Sequence, residues 1–252
     1  MLLFENKIVF PATKHPGGDW DAAARFGLAD VWFESEDGTR LHGWLAENDT
    51  PRGYLLFCHG NGGNITGRGD VIAYLRDRFG LTAFVFDYRG YGRSDGSPNE
   101  AGVLADGRAA RDWLAEHGGV PASELLLLGR SLGGAVAVDL AVASGAKGLI
   151  LESTFTTLPD VGASAFPWFP VRWLMKNRFD SLDKIADYQG PILASHCPDD
   201  EVIPFKLGKR LFDAAVGEKR FVTIEGRGHN DPQPESYYRE LGSFLDRVLV
   251  TQ

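Results

Sequence analysis

Short apolar runs at 54–58, 82–86, 125–128, 148–151, 191–196 and 221–224 alternate along the chain with stretches whose apolar positions recur at helical spacing. Runs that are apolar throughout, instead of alternating with polar residues, predict parallel strands covered on both faces. The segment ahead of them differs. Residues 31–45 read as two strand-like pieces joined near Asp37-Gly38, which predicts an antiparallel hairpin. The expected class is therefore α/β: a mostly parallel central sheet with an N-terminal antiparallel hairpin and helices on both faces.

One helix carries signals at both ends. Ser97-Pro98-Asn99-Glu100 has capping-box spacing with Pro98 at a first-turn position, Val103, Gly107, Ala110 and Leu114 follow at helical spacing, and Gly118 is expected to close it. A last helix aligns Tyr237, Leu241, Phe244, Leu245 and Val248 on one face. Residues 156–180 fit neither pattern. They hold Phe166-Pro167-Trp168-Phe169-Pro170 and Trp173-Leu174-Met175, where the prolines prevent a long helix. Placed between two sheet strands, this stretch predicts a small cap inserted over the sheet edge.

Composition narrows the classes. The 252 residues carry a net charge of -8 with no linker, repeat or charge block, so a single domain spanning 1–252 is expected. An acidic chain of pI about 5.3 with scattered Lys and Arg argues against a nucleic-acid partner. Two cysteines, Cys58 and Cys197, each end an apolar run and read as free buried thiols suited to a reducing compartment. Met1-Leu2-Leu3-Phe4 is too short an apolar run for a secretory or membrane-spanning segment. The chain is expected to be cytoplasmic, with membrane association unlikely.

The chemistry is signalled most strongly by Gly129-Arg130-Ser131-Leu132-Gly133, between the run at 125–128 and a small-residue helical stretch. Strand, sharp turn and helix with a serine at the apex make a nucleophile elbow. A serine hydroxyl needs a base to take its proton and a third group to orient that base. His229 follows the run at 221–224 in a glycine-containing loop, and is the candidate base among six histidines. His15 and His42 precede the parallel sheet, His117 sits near a helix C-terminus, and His196 ends a strand. His59 is expected to pin its loop by hydrogen bonding. Asp199 and Asp200 are adjacent after the run at 191–196, and only one can face His229; Asp200 is assigned, with Asp199 a solvated neighbour. The oxyanion formed by attack on a carbonyl needs two backbone donors. Leu132 N–H is one, and the loop His59-Gly60-Asn61-Gly62-Gly63-Asn64 supplies the other, assigned to Asn61. The aromatics Phe166, Trp168, Phe169 and Trp173 suggest an apolar substrate pocket, or simply a cover for the sheet edge.

At these residues the chain resembles the α/β-hydrolase superfamily. More narrowly it is similar to the Bem46-like group, which includes the alpha/beta hydrolase domain-containing proteins of type 13. The segments that carry the likeness are His59-Gly60-Asn61-Gly62-Gly63-Asn64, Asp87-Tyr88-Arg89-Gly90-Tyr91-Gly92-Arg93-Ser94, Gly129-Arg130-Ser131-Leu132-Gly133-Gly134, Glu152-Ser153-Thr154-Phe155 and Gly228-His229-Asn230-Asp231. The resemblance implies a serine hydrolase with the triad Ser131, Asp200 and His229, and places the acid four residues before a proline such as Pro204. Members often carry an N-terminal membrane segment ahead of a stretch like Lys7-Ile8-Val9-Phe10-Pro11, and since residues 1–6 hold none, membrane association is not expected.

The function expected from these residues is hydrolysis of small to medium carboxylic esters through an acyl-enzyme. No metal or organic cofactor is required, and no metal-ligand spacing such as H-E-x-x-H occurs. Alternatives using the same triad are a thioesterase, a lipid-deacylating enzyme or a peptidase. A catalytically silent scaffold is the alternative from another class, although no triad residue is missing.

Overall fold

A computed structural model describes residues 5–249; the Met1-Leu2-Leu3-Phe4 run lies outside the described residues. Eight strands form one continuous sheet: β1 (Ala29–Glu34), β2 (Arg40–Ala46), β3 (Gly53–Cys58), β4 (Leu81–Asp87), β5 (Leu126–Arg130), β6 (Gly148–Glu152), β7 (Ile192–His196) and β8 (Lys219–Thr223). Their spatial order is β1-β2-β4-β3-β5-β6-β7-β8. β1 pairs antiparallel with β2 and β2 antiparallel with β4, while the remaining ladders are parallel. The hairpin turns where Asp37-Gly38 stands, with Gly38 at φ 79°. A left-handed turn position of this kind costs glycine little and other residues much more.

Among the described residues, ten α-helices accompany the sheet: α1 (Glu5–Val9), α2 (Ala22–Phe26), α3 (Gly69–Phe79), α4 (Glu100–Gly118), α5 (Leu132–Ser144), α6 (Leu158–Ala165), α7 (Val171–Leu174), α8 (Ser181–Ile185), α9 (Phe205–Ala214) and α10 (Glu235–Val248). One sheet face packs Ala110 and Leu114 of α4, Val136 and Leu140 of α5, Ile185 of α8 and Leu211 of α9. The other packs Ile72 and Leu75 of α3 with Tyr237, Leu241, Phe244 and Leu245 of α10. Burying each such side chain contributes roughly 1.5–3 kcal/mol. Cover on both sides explains why every residue of β4 and β6 is buried, whereas the edge strand β1 buries only Val31 and Phe33.

The start of α4 corrects the capping expectation. Ser97 and Pro98 stay outside the helix, and Asn99 is the cap: its extended backbone lets the side-chain oxygen accept from Gly102 N at 3.0 Å. Glu100 does not reach back to close a box; its carboxylate accepts instead from the backbone N–H groups of Arg178 and Phe179. At the far end Gly118 is still helical, and Gly119, at φ 62°, is the left-handed residue that stops the helix. The proline-rich 156–180 stretch forms α6 and α7 between β6 and β7. α1 is tied to its far end, where Glu5 accepts from the backbone N–H groups of Lys176 and Asn177.

Candidate active site

The parallel strands end along one edge, and their following loops carry the candidate residues. Ser131 lies between β5 and α5 with φ 54° and ψ -120°, a conformation that costs a non-glycine residue about 1–3 kcal/mol. The surroundings hold it there. Its N–H donates to Glu152 O at 2.9 Å, and its carbonyl accepts from Thr154 Oγ1 at 2.9 Å. The two flanking glycines are required by space: a Cβ on Gly129 would run into the Gly133 carbonyl, and one on Gly133 into the Cys58 carbonyl. α5 can therefore start directly under the loop that follows β3. Leu132 N–H is in the first turn of α5, where backbone donors have no partner within the helix.

Asp200 and His229, 29 residues apart, meet in the structure: His229 Nδ1 lies 2.8 Å from Asp200 Oδ2. Both residues are buried. The other carboxylate oxygen accepts from Val202 N at 2.9 Å and Ile203 N at 2.7 Å, so the acid is fixed in orientation. Asp199 is exposed. Burial alone would raise the Asp200 carboxyl, but hydrogen bonds from His196, His229 and Ile203 N–H outweigh it and hold the group below the ordinary carboxylate range. An anionic Asp200 fixes the proton of His229 on Nδ1 and leaves Nε2 as the acceptor.

Three supporting residues escape the sequence. His196 Nε2 stands 3.3 Å from the same Asp200 oxygen and 2.9 Å from Ile203 O, so the strand-ending histidine is a second imidazole on the acid. Arg130, adjacent to Ser131, donates to the carbonyls of His229 at 2.8 Å and Asp231 at 3.0 Å, tying the histidine loop to the elbow. Glu201 accepts from His229 N at 3.0 Å. The pattern H-x-x-x-D ahead of Asp200 was the available clue for His196; contacts between the Arg130 side chain and a loop 99 residues away leave no local signal.

The loop after β3 is braced from the chain that follows β4. Tyr88 OH donates to His59 O at 3.0 Å and Tyr91 OH to Asn61 O at 2.8 Å. His59 Nδ1–H donates to Gly60 O at 2.6 Å, the pinning contact expected of it. Burial, aided by the Arg68 charge, depresses the His59 imidazole to about 3, and burial raises the neighbouring Asp87 carboxyl to about 8. Both groups are therefore uncharged near neutral pH. The Asn61 side chain donates to Val9 O at 2.9 Å, joining this loop to α1.

Beyond Val9 lies an apolar cavity of about 400 Å³ with Phe166, Trp168, Phe169, Val171 and Met175 in its walls. Trp173 is not among them; it is 90% exposed and points away from the sequence-based pocket assignment. The reason is the short α7, which turns Val171 inward and leaves Trp173 on its outer side. Ser131 and His229 are not part of the cavity wall. Among the described residues, no helix is long and apolar enough to cross a membrane.

Comparison with known proteins bears on the family and the fold. The model of the family described as serine aminopeptidase, S33 matches residues 49–184. An uncharacterized protein of Mycobacterium tuberculosis is 40% identical over 206 residues, covering 81% of this chain and 73% of its own length. The alpha/beta hydrolase domain-containing protein WAV2 of Arabidopsis thaliana is 33% identical over 98% of this chain and 89% of its own. Among solved structures, the Pyrococcus furiosus esterase Pf2001 superposes with a TM-score of 0.77 at 20% identity, over 94% of this chain and 99% of its own. Est1E of Butyrivibrio proteoclasticus, solved with ferulic acid bound, superposes with a TM-score of 0.75 at 19% identity, over 88% of this chain and 100% of its own. With the elbow, the sheet order and these matches in hand, the chain belongs to the serine aminopeptidase S33 family of hydrolases and has the α/β-hydrolase fold.

Proposed function

We propose that the protein is a serine esterase that cleaves carboxylic esters of small to medium acyl chain through an acyl-enzyme on Ser131. The observation that carries it is the 2.8 Å contact between Asp200 and His229, on a loop that the Arg130 side chain ties to the strained turn carrying Ser131. His229 Nε2 takes the Ser131 proton as Oγ bonds to the ester carbonyl carbon, and the carbonyl π electrons move to oxygen. The N–H groups of Asn61 and Leu132 hold that oxyanion; one such donor contributes about 2.7–4 kcal/mol to barrier lowering. Collapse expels the alcohol, which receives the proton from His229, and water repeats the sequence to release the acid. The unprotonated imidazole accepts the Ser131 proton, and the imidazolium so formed donates it to the leaving alcohol. No cofactor enters. Free, buried Cys58 and Cys197 suit a reducing compartment, and we place the protein in the cytoplasm.

The structural neighbours include esterases, whereas the family is that of serine aminopeptidases; a thioesterase would use the same triad. Rates on p-nitrophenyl esters of rising chain length, on acyl-CoA and on aminoacyl amides separate these activities. The ester series is expected to give the highest kcat/KM, with an optimum at short to medium chains. Faster aminoacyl-amide cleavage would establish the peptidase instead.

His196 enters as a positioning residue through Asp200. His196→Leu removes the donor while keeping comparable bulk, and is expected to lower kcat about tenfold with little change in KM, as loss of one hydrogen bond to a charged group implies. His196→Gln, which retains a donor, is expected to recover part of the loss. Equal rates in His196→Leu and the native chain would remove this role.

A further inference from the structure

A second cavity, of about 330 Å³, opens on the other side of the histidine loop, between α3 and α10. Its walls hold two guanidinium groups, Arg68 and Arg130, with Tyr74, Tyr238, Asn230 and Gln233 around them. Arg68 donates from Nη1 to Gly67 O, and Arg130 uses one nitrogen for the His229 and Asp231 carbonyls. Among the described residues neither forms an ion pair with a carboxylate, and Arg68 Nε is buried without an acceptor. Asp70 and Glu152 share the walls, but neither lies within ion-pair distance of the two arginines: Glu152 accepts from Tyr237 OH at 2.5 Å on one oxygen, and Asp70 is exposed and accepts from Val71 N–H. Asp87 lies beyond, and burial favours its neutral form.

Guanidinium groups keep their charge in proteins, so holding the half-buried Arg68, with its Nε out of contact with water, beside a like charge costs electrostatic energy. Burial and the Arg130 charge both press the Arg68 pKa downward. An oxygen anion seated between the two arginines would neutralise that repulsion and supply the missing acceptor, and planar forks suit its oxygens. The tyrosine hydroxyls and the amides of Asn230 and Gln233 add neutral donors.

We propose that this cavity is a binding site for an oxyanion group, a phosphate or a carboxylate, held between Arg68 and Arg130. The site shares Arg130 with the support of the histidine loop, but the bound anion takes no part in bond making and the proposal does not rest on the acyl-transfer reading. The test is isothermal titration of the full chain with inorganic phosphate at constant ionic strength, with chloride as the control anion. One-site saturable binding is expected, weakened about tenfold or more by Arg68→Gln, as loss of a charge-assisted hydrogen bond implies. Arg40→Gln, which alters an arginine stacked on Trp32 outside the cavity, is expected to leave it unchanged. Gln233→Glu places a carboxylate in the wall and is expected to block phosphate even if Arg68→Gln fails to fold. Competing acetate identifies the source: displacement marks a carboxylate-accepting site, and persistence of phosphate a phosphoryl-selective one, each upholding the proposal. Absence of saturable binding, or binding that survives both cavity variants, overturns it.

Discussion

On the proposed mechanism, ester hydrolysis by Ser131→Ala is expected to fall by on the order of 10⁵- to 10⁶-fold, as removal of the nucleophile does in serine hydrolases. The variant loses one oxygen and nothing else. Ser131 Oγ takes no part in the contacts that hold the turn, which run through its backbone N–H, its backbone carbonyl and the two flanking glycines. Alanine at φ 54° carries the same backbone strain as serine, so the melting temperature is expected to stay within a few degrees of the native value. A residual rate above that of water is expected to survive, because the proposed oxyanion donors, Asn61 and Leu132 N–H, remain. Initial rates on a p-nitrophenyl ester, with circular dichroism on the same samples, check both halves. An active Ser131→Ala protein would locate the chemistry elsewhere.

The largest effect on folding is expected from Arg89→Met, at about 3–5 kcal/mol of lost stability. Arg89 sits in the Asp87-Tyr88-Arg89-Gly90-Tyr91 motif and bonds Asp106 from Nε at 3.0 Å and from Nη2 at 2.7 Å, with Asp37 at 2.8 Å from Nη1. The Asp106 side chain is fully buried, so removing its partner strands a carboxylate in the core. Burial already raises the Asp106 carboxyl above its ordinary value, and the Arg89 hydrogen bonds pull against that rise. Without them the folded carboxyl rises further and holds a proton that the unfolded chain has released. Stability of the variant is therefore greatest in acid and declines as pH climbs above the unfolded aspartate range towards the raised folded value. Urea denaturation at pH 5 and pH 8 measures it: the deficit against the native chain is expected to be larger at pH 8. A deficit below 1 kcal/mol at both pH values would mean that the cluster is not structural.

Much of this architecture was legible before any coordinates. Continuous apolar runs mark β3 to β7 because both faces are covered, and Asp37-Gly38 marks the hairpin because the turn needs a left-handed residue. Ser131 was visible because a strand-to-helix turn with that packing leaves room only for glycine at 129 and 133. Choices between neighbours were harder. Ser97 and Asn99 are both good caps, and the backbone conformation that put Asn99 over the first turn depends on tertiary contacts of Glu100 with residues 178 and 179. Trp168 and Trp173 look alike in sequence and both are exposed, and only the path of the chain through Pro167 to the short α7 leaves Trp168 in the cavity wall and Trp173 outside it. Long-range supports such as Arg130 to His229, Glu201 to His229 and Glu5 to Asn177 obey no local period and surface only in three dimensions.

The claim on which the mechanism depends is that Ser131 becomes nucleophilic through His229 and Asp200. Labelling the native chain with a fluorophosphonate, digesting it and locating the adduct by mass spectrometry tests that claim at the reacting atom. A single adduct on the peptide containing Ser131, absent from Ser131→Ala and formed far more slowly in His229→Ala, is the expected result. An adduct at another residue, undiminished labelling of His229→Ala, or no labelling of folded native protein would contradict it.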